Sequence, residues 1–267
     1  MKLKKFLALT RAGLIESLQY RLAMFVMVIG NLLYLTVVYF LWKSIYASAG
    51  GGTVNGMTFT DTLIYLVLAT ALFNFMEMYT VWEIGRNIQT GKIVLDLLKP
   101  MSYRSYLFWS YSGTFVTQFF ATFLPTFIIV ALLTHGAVPI GVNLLWFAVS
   151  VVLSVVINFS IDFIVGTVCL YTESIWGINI MKQVIVLLLS GATIPLAFFP
   201  EGLRKVVDCL PFRSVYDAPL TILLKADPTV GEVLPVIAMQ LMWALVMTAA
   251  GCIFWRYSLR QITVNGG

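Results

Sequence analysis

Charge is what this chain has least of. Asp, Glu, Lys and Arg make up 11% of its 267 residues, against about a quarter in an ordinary soluble domain. The 17 Lys+Arg and 12 Asp+Glu cannot cover the surface of a 29.8 kDa globule, so a soluble fold is excluded. Histidine is nearly missing too. His135 stands alone, which removes His-based metal sites and His-dependent triads. The three cysteines, Cys169, Cys209 and Cys252, form no C-x-x-C pair, so neither a disulfide framework nor a zinc site is expected. No metal site is assigned. No convincing internal repeat is visible, and with it goes the inverted-repeat signature of many secondary transporters.

Apolar residues are abundant instead, at 60% of the chain with a mean hydropathy of +0.92. A bilayer core takes about 20 apolar residues per helix. Runs of this kind occupy 22–42, 61–82, 107–133, 143–170, 183–199 and 233–255, the fifth of them short and interrupted by Pro195. The expected fold is all-α and membrane-integral, a single permease-sized domain over 1–267 with six transmembrane helices. Six crossings leave both termini on one side. With the N-terminus inside, twelve Lys and Arg fall in inner segments and five in outer ones, while the outer segments also carry six acids. The positive-inside rule then places both termini in the cytoplasm. The net charge of +5 therefore reports topology, and no nucleic-acid partner is expected. The Ala47-Ser48-Ala49 triplet imitates a cleavage site, but the preceding run of 21 residues exceeds the roughly 7–15 of a signal peptide. The lead Lys2–Tyr20 sets Phe6, Leu7, Leu14, Ile15 and Leu18 against Lys and Arg. It reads as an interfacial helix at the inner surface, or as a simple basic anchor.

Glu83–Tyr106 is the longest inner connection. Gly85, Gly91 and Lys92 imitate a phosphate-binding loop, but five residues separate the glycines and Ile93 stands where Ser or Thr is needed. No nucleotide site is expected on this chain. Lys92–Lys99 reads as two helical turns between Gly91 and Pro100. Ile93, Leu97 and Val94, Leu98 are i,i+4 pairs on one side, with Lys92, Asp96 and Lys99 on the other. With Glu83, Arg86 and Arg104 around it, such a helix suits a cleft on another protein. It equally suits lipid headgroups.

This segment, above all Ile88-Gln-Thr-Gly91-Lys-Ile-Val-Leu-Asp-Leu-Leu98-Lys99-Pro100, resembles the coupling segment of ATP-binding-cassette type-2 exporter permeases. A second block is similar to the same family, in its viologen-exporter-like subgroup: Ser190-Gly191-Ala-Thr-Ile-Pro195-Leu-Ala-Phe-Phe-Pro200, then Leu210-Pro211-Phe212 and Tyr216-Asp-Ala-Pro219. The resemblance implies an exporter permease without enzyme activity of its own, paired with a second permease, identical or paralogous, among membrane lipids. Separate ATPase subunits would carry ATP and Mg. It implies docking on the ATPase through Glu83, Arg86, Gly91, Lys92, Ile93, Asp96, Leu97, Lys99 and Pro100, with Ile93 and Leu97 as apolar anchors. It also implies a re-entrant outer hairpin as a gate between spans five and six, built around Gly191, Pro195, Pro200, Pro211, Phe212, Tyr216 and Pro219. An amphiphilic drug, peptide or lipid-like cargo follows from the family.

Polar residues within the spans form stripes. Ser150, Ser154, Asn158, Asp162 and Gly166 recur every fourth residue; so do Thr114, Gln118, Thr122 and Thr126, while Thr70, Asn74 and Glu77 mark one side of the second run. A carboxylate in the membrane costs on the order of 3 kcal/mol, so Glu77 and Asp162 call for a function or a partner. No basic residue lies within the expected spans to pair with them. Asn74, Glu77, Gln118, Asn158 and Asp162 are the candidate substrate path or gate. The alternative is a proton-coupled secondary exporter using Glu77 and Asp162. A lipid-modifying enzyme would need clustered acid and base groups; no catalytic residue is assigned.

Overall fold

The computed structural model describes residues 2–19, 21–134, 136–172 and 174–261. Tyr20, which closes the expected lead, and His135 lie outside the described residues. The chain is helical almost throughout. A two-residue hairpin, β1 (Thr53–Val54) against β2 (Met57–Thr58), is the exception among the described residues. It forms where Asn55 and Gly56 take positive φ, as a tight hairpin turn requires.

The first helix, α1 (Lys2–Gln19), lies along α6 (Tyr103–Gln118). Two glycines bring the backbones together: a Cβ on Gly13 would collide with the Ser110 carbonyl, and one on Gly113 with the backbone of Thr10–Leu14. The hydroxyls of Thr10 and Ser112 then meet at 2.6 Å and those of Ser17 and Thr117 at 2.7 Å. Phe6 stacks on Trp109. Small and hydroxyl residues make the contact, as between membrane helices, and Leu7, Ile15 and Leu18 point outward.

Five helical stretches are long and apolar enough to cross a membrane. They lie within α2 (Arg21–Ser48), α3–α4 (Phe59–Met76 and Thr80–Gln89), α6–α7 (Tyr103–Gln118 and Leu124–Leu133, joined by a π-helical turn at Phe119–Phe123), α8 (Asn143–Val168) and α12 (Val230–Ser258). A sixth apolar helix, α9 (Ile175–Leu189), is shorter. It begins eight residues earlier than the sequence pattern suggests and ends before Gly191. The reason is that Lys182, an apparent loop residue by hydropathy, is buried inside the helix with a partner. Pro195 therefore does not break the helix; it precedes a 3-10 turn at Leu196–Phe198.

The second stretch also differs from expectation. It does not end near residue 82 but breaks at Glu77–Tyr79 and resumes as α4, so Glu83 and Arg86 are helical rather than in a loop. Gly91, at φ +72°, ends α4, and the five-residue α5 (Ile93–Leu97) follows. After α9 come α10 (Glu201–Asp208) and α11 (Asp217–Leu224).

The core sits between α3, α8 and α11. Leu68, Leu72, Met76, Ile157, Phe159, Phe163, Leu220 and Leu223 have no more than a trace of exposed surface. Among its described residues, helix α2 joins it in its C-terminal half, where Trp42 packs on Phe198 and the Tyr46 hydroxyl reaches Thr62 at 2.7 Å.

Candidate functional site

The stripe on α8 is the spine of the molecule. Each of its five residues is buried and each meets a different element. Ser150 donates to Gln240 on α12 at 2.8 Å. Ser154 donates to the Ser214 carbonyl, in the turn before α11, at 2.9 Å. Asn158 donates to the Met76 carbonyl at 2.9 Å. Asp162 pairs with Lys182 of α9 at 2.9 Å. Gly166 leaves room for Ile84 of α4, which an added Cβ would strike. Each step of four residues turns about 40° round the helix, so the five wind as one strip along α8 and meet five neighbours.

The break at Glu77–Tyr79 sits against this strip. Glu77 takes extended geometry, φ −64° and ψ 124°, which ends α3 and strips Met76 of its helical hydrogen-bond partner. Asn158 supplies the replacement. Such a carbonyl left bare in a membrane costs several kcal/mol, and the amide offsets that cost. Lys182 and Glu77 line one small cavity with Asn158, Gln183, Phe73 and Tyr216; it has room for about a single water molecule. Among the candidate path residues, Glu77, Asn158 and Asp162 thus come together around Lys182. Asn74 is half-buried one turn earlier on α3. Gln118 stays outside the cluster, accepting the Thr122 hydroxyl on its own helix at 2.9 Å.

Lys182 is the residue the sequence pattern misplaced. Assigned to an inner loop, it is 11% exposed and its partner Asp162 is fully buried. The statement that no base lies in the spans to pair with Asp162 is therefore wrong. A lysine bounded by Gly177 and a long apolar run carried the signal, had the run been extended upstream.

On the other side of the bundle, the segment before α12 folds inward. Helix α11 is buried along nearly its whole length, with Pro219, Leu220, Ile222 and Leu223 in the core. Helix α10 buries only Val207, and Leu203 and Val206 on the same side are exposed. Asp217 is the anchor. It accepts from the Tyr65 hydroxyl of α3 at 3.0 Å and from Arg213 Nε at 3.0 Å, while Arg213 also reaches Asp208 at 2.6 Å. Burial holds the Asp217 carboxyl above the usual carboxylate range, against the pull of Arg213 and Tyr65. Gly191 adopts φ +80°, and a Cβ there would strike the Tyr65 hydroxyl. Of the expected gate residues, Gly191, Pro211, Tyr216 and Pro219 lie in this buried knot, and Phe212 packs against it. Pro195 and Pro200 sit outside it, starting the 3-10 turn and α10. Tyr65, Asp217, Arg213 and Gln240 were missed. Gln240, a lone amide in a long apolar run, bonds Ser150, Ser154 and Ser214 at once, and its isolation was the available sign.

The docking segment divides into a buried and an exposed face. Ile93 is buried, and so is Asp96, which accepts from Asn87 at 3.0 Å and pairs with Lys99 at 2.7 Å. These two brace α5 against α4, so Ile93 is not free to anchor a partner. Lys99 lies 3.4 Å over the Tyr106 ring. Burial alone would lower its ammonium, but the bonds to Asp96 and Tyr106 hold it above its ordinary value. Glu83 also turns inward, accepting the Tyr111 hydroxyl at 2.7 Å. Arg104 leaves the segment altogether and reaches in between α8 and α12. Arg86, Gly91, Lys92 and Pro100 are exposed. So are Leu95 (65%), Leu97 (38%) and Leu98 (76%), a patch of three leucines beside two cations. Leu95 had drawn no attention because it lies off the i,i+4 pairs.

A search of curated proteins finds no match. A family profile described as "ABC-2 family transporter protein" matches residues 32–266, a span that takes in the docking segment, the α8 strip and the buried knot. The chain belongs to the ABC-2 family and is a membrane-spanning permease component of an ATP-binding-cassette transporter.

Proposed function

We propose that the chain is an exporter permease that crosses the membrane six times with both termini in the cytoplasm. Helix α9 is the short fifth crossing, and its packing against α4 and α8 supports that count. Removing Lys182 from the inner loops leaves eleven basic residues inside against five outside, so the charge bias is kept. Two such permeases, identical or paralogous, work above ATPase subunits that bind ATP and Mg. The cargo is an amphiphilic drug, peptide or lipid-like molecule.

One observation carries this reading: a short helix, braced from behind by Asp96, Asn87 and Lys99, that holds Leu95, Leu97 and Leu98 outward beside Arg86 and Lys92. Exposed leucines outside the lipid-crossing stretches need a partner, and cations at the rim give it register. Through α4 this helix is continuous with the break at Glu77–Tyr79. A push on α5 from below therefore arrives at the hinge beside Asn158 and Lys182. On the far side, Tyr65 ties α3 to the buried knot at Asp217, which serves as the outer gate.

The experiment is gentle purification of the tagged chain from its host, with mass spectrometry of what accompanies it. Leu98→Asp and Leu97→Asp run beside it. Recovery of an ATP-binding-cassette ATPase in near-stoichiometric amount, lost in Leu98→Asp, supports the docking face. A folded chain that comes alone removes it. The proton-coupled alternative then rests on Glu77 only, because Asp162 is committed to Lys182.

A further inference from the structure

Arg104 carries a permanent charge into the bundle and meets no carboxylate. Among the described residues no acid lies within ion-pair distance of it. Its Nη2 donates to the Ser160 hydroxyl at 2.8 Å and the Thr248 hydroxyl at 3.0 Å, and its guanidinium rests 5.5 Å over the Phe159 ring. Its Nε is buried without a partner. Two neutral hydroxyls, the Cys252 thiol and a ring do not neutralise a guanidinium, and a charge partly withdrawn from water without a counter-ion is costly. The site calls for an anion.

Its position says which one. Tyr103 stacks on Trp255 with ring centroids 5.0 Å apart. The residues that follow them, Arg104 and Arg256, therefore flank one contact between α6 and α12. On α12, Thr248, Cys252 and Arg256 recur every four residues and share one face. Arg256 and Cys252 are exposed, and deeper on the same face so are Leu241 and Leu245. The face thus reads from cationic at the docking-segment end to apolar within the membrane. That order of chemistry matches a phospholipid, with its phosphate at the surface and its chains below. Arginine forks also fit phosphate oxygens in a bidentate way.

We propose that Arg104 and Arg256 bind the phosphodiester of an anionic phospholipid whose acyl chains run along the Leu241–Leu245 face of α12. Two cations without an acid between them select a lipid with no compensating amine. Arg104 holds the phosphate from the protein side, positioned by Ser160 and Thr248, and Arg256 closes over it from the surface.

The test places the full chain in nanodiscs of phosphatidylcholine, alone or mixed with phosphatidylglycerol of the same acyl chains. Thermal unfolding is followed together with a native mass-spectrometric count of retained lipid. The expected result is a higher unfolding midpoint with phosphatidylglycerol and retention about tenfold tighter than for phosphatidylcholine. Arg104→Gln abolishes both effects, Arg104→Lys keeps part, and Arg256→Gln weakens retention without touching buried packing. Arg260→Gln, which alters a nearby exposed cation, leaves both intact. Should Arg104→Gln fail to fold, the lipid count for Arg256→Gln decides alone. Undiminished retention in Arg256→Gln and Arg104→Gln overturns the proposal. So does an equal loss in Arg260→Gln, which would show diffuse attraction. An equal rise from inorganic phosphate in phosphatidylcholine discs would leave an anion site but no lipid site.

Discussion

Asp162 has no exposed surface, and its stability rests on one ammonium at 2.9 Å. Deleting one member of such a pair strands the other and costs about 3–5 kcal/mol. Asp162→Asn and Lys182→Met are each expected to lower the unfolding midpoint sharply in detergent. Replacing both, as Asp162→Leu with Lys182→Met, restores part of it, because neither member of the pair is then stranded, while Glu77 loses the cation beside it in the cavity. Equal losses in the single and double variants would show that packing, not charge, is at stake. Gly191 makes a second residue-scale case. Its φ of +80° disfavours any Cβ, and the Tyr65 hydroxyl occupies the place a Cβ would take. Gly191→Ala is expected to destabilise the buried knot by about 1–2 kcal/mol or more. Tyr65→Phe removes the clashing oxygen, so a double-mutant cycle shows the two changes costing less together than their sum. Both sites expose what a sequence can and cannot show. Asp162 and Gly191 are conspicuous by type, a carboxylate in an apolar run and a glycine after one. Lys182 and Tyr65 are their partners from other elements, and pairing across elements leaves no mark on local composition.

At the scale of elements, periodicity and breakers located most helices, and the misses share one cause. Hydropathy marks where a chain is apolar, not where its backbone bonds run. It ended the second span near residue 82 because Glu83 and Arg86 are charged, yet α4 continues to Gln89 with Glu83 satisfied by Tyr111. It started the fifth span after Lys182 for the same reason. It also gave no sign that α1 packs on α6, because Gly13 and Gly113 bring the two backbones together without an apolar face. The α1–α6 contact gives a direct prediction. Thr10→Cys with Ser112→Cys forms a disulfide under mild oxidation, since the two hydroxyls stand 2.6 Å apart. Adding Gly113→Leu, which drives a side chain into the backbone of Thr10–Leu14, abolishes that cross-link on non-reducing gels. Persistence of the cross-link would mean that α1 is tethered by other contacts and not by the glycine pair.

For the whole molecule, the buried surfaces are distributed unevenly. The most apolar 18 residues of α3–α4 and of α8 are more than half buried, while those of α2 and of α6–α7 are 11% buried and those of α12 17%. Among the described residues, helix α2 touches the rest of the chain at Val38, Tyr39, Trp42 and Tyr46 and leaves Leu22, Val26, Leu33, Val37 and Phe40 uncovered. Lipid can coat such a helix, but lipid does not fix its tilt; packing against neighbours does that. We expect a second permease to supply the missing contact. Its face would include Gly30, where a Cβ meets nothing within the chain. Leu33→Cys, in a chain with its three native cysteines replaced, is then expected to form an intermolecular cross-link in native membranes. Leu145→Cys, exposed to a comparable degree on α8, serves as the lipid-facing comparison and should remain monomeric. A cross-linked band of twice the chain mass identifies a homodimer. One of different mass identifies a paralogous partner. Equal, weak cross-linking at both positions would assign the face of α2 to lipid, and the docking leucines would then have to act from a single permease.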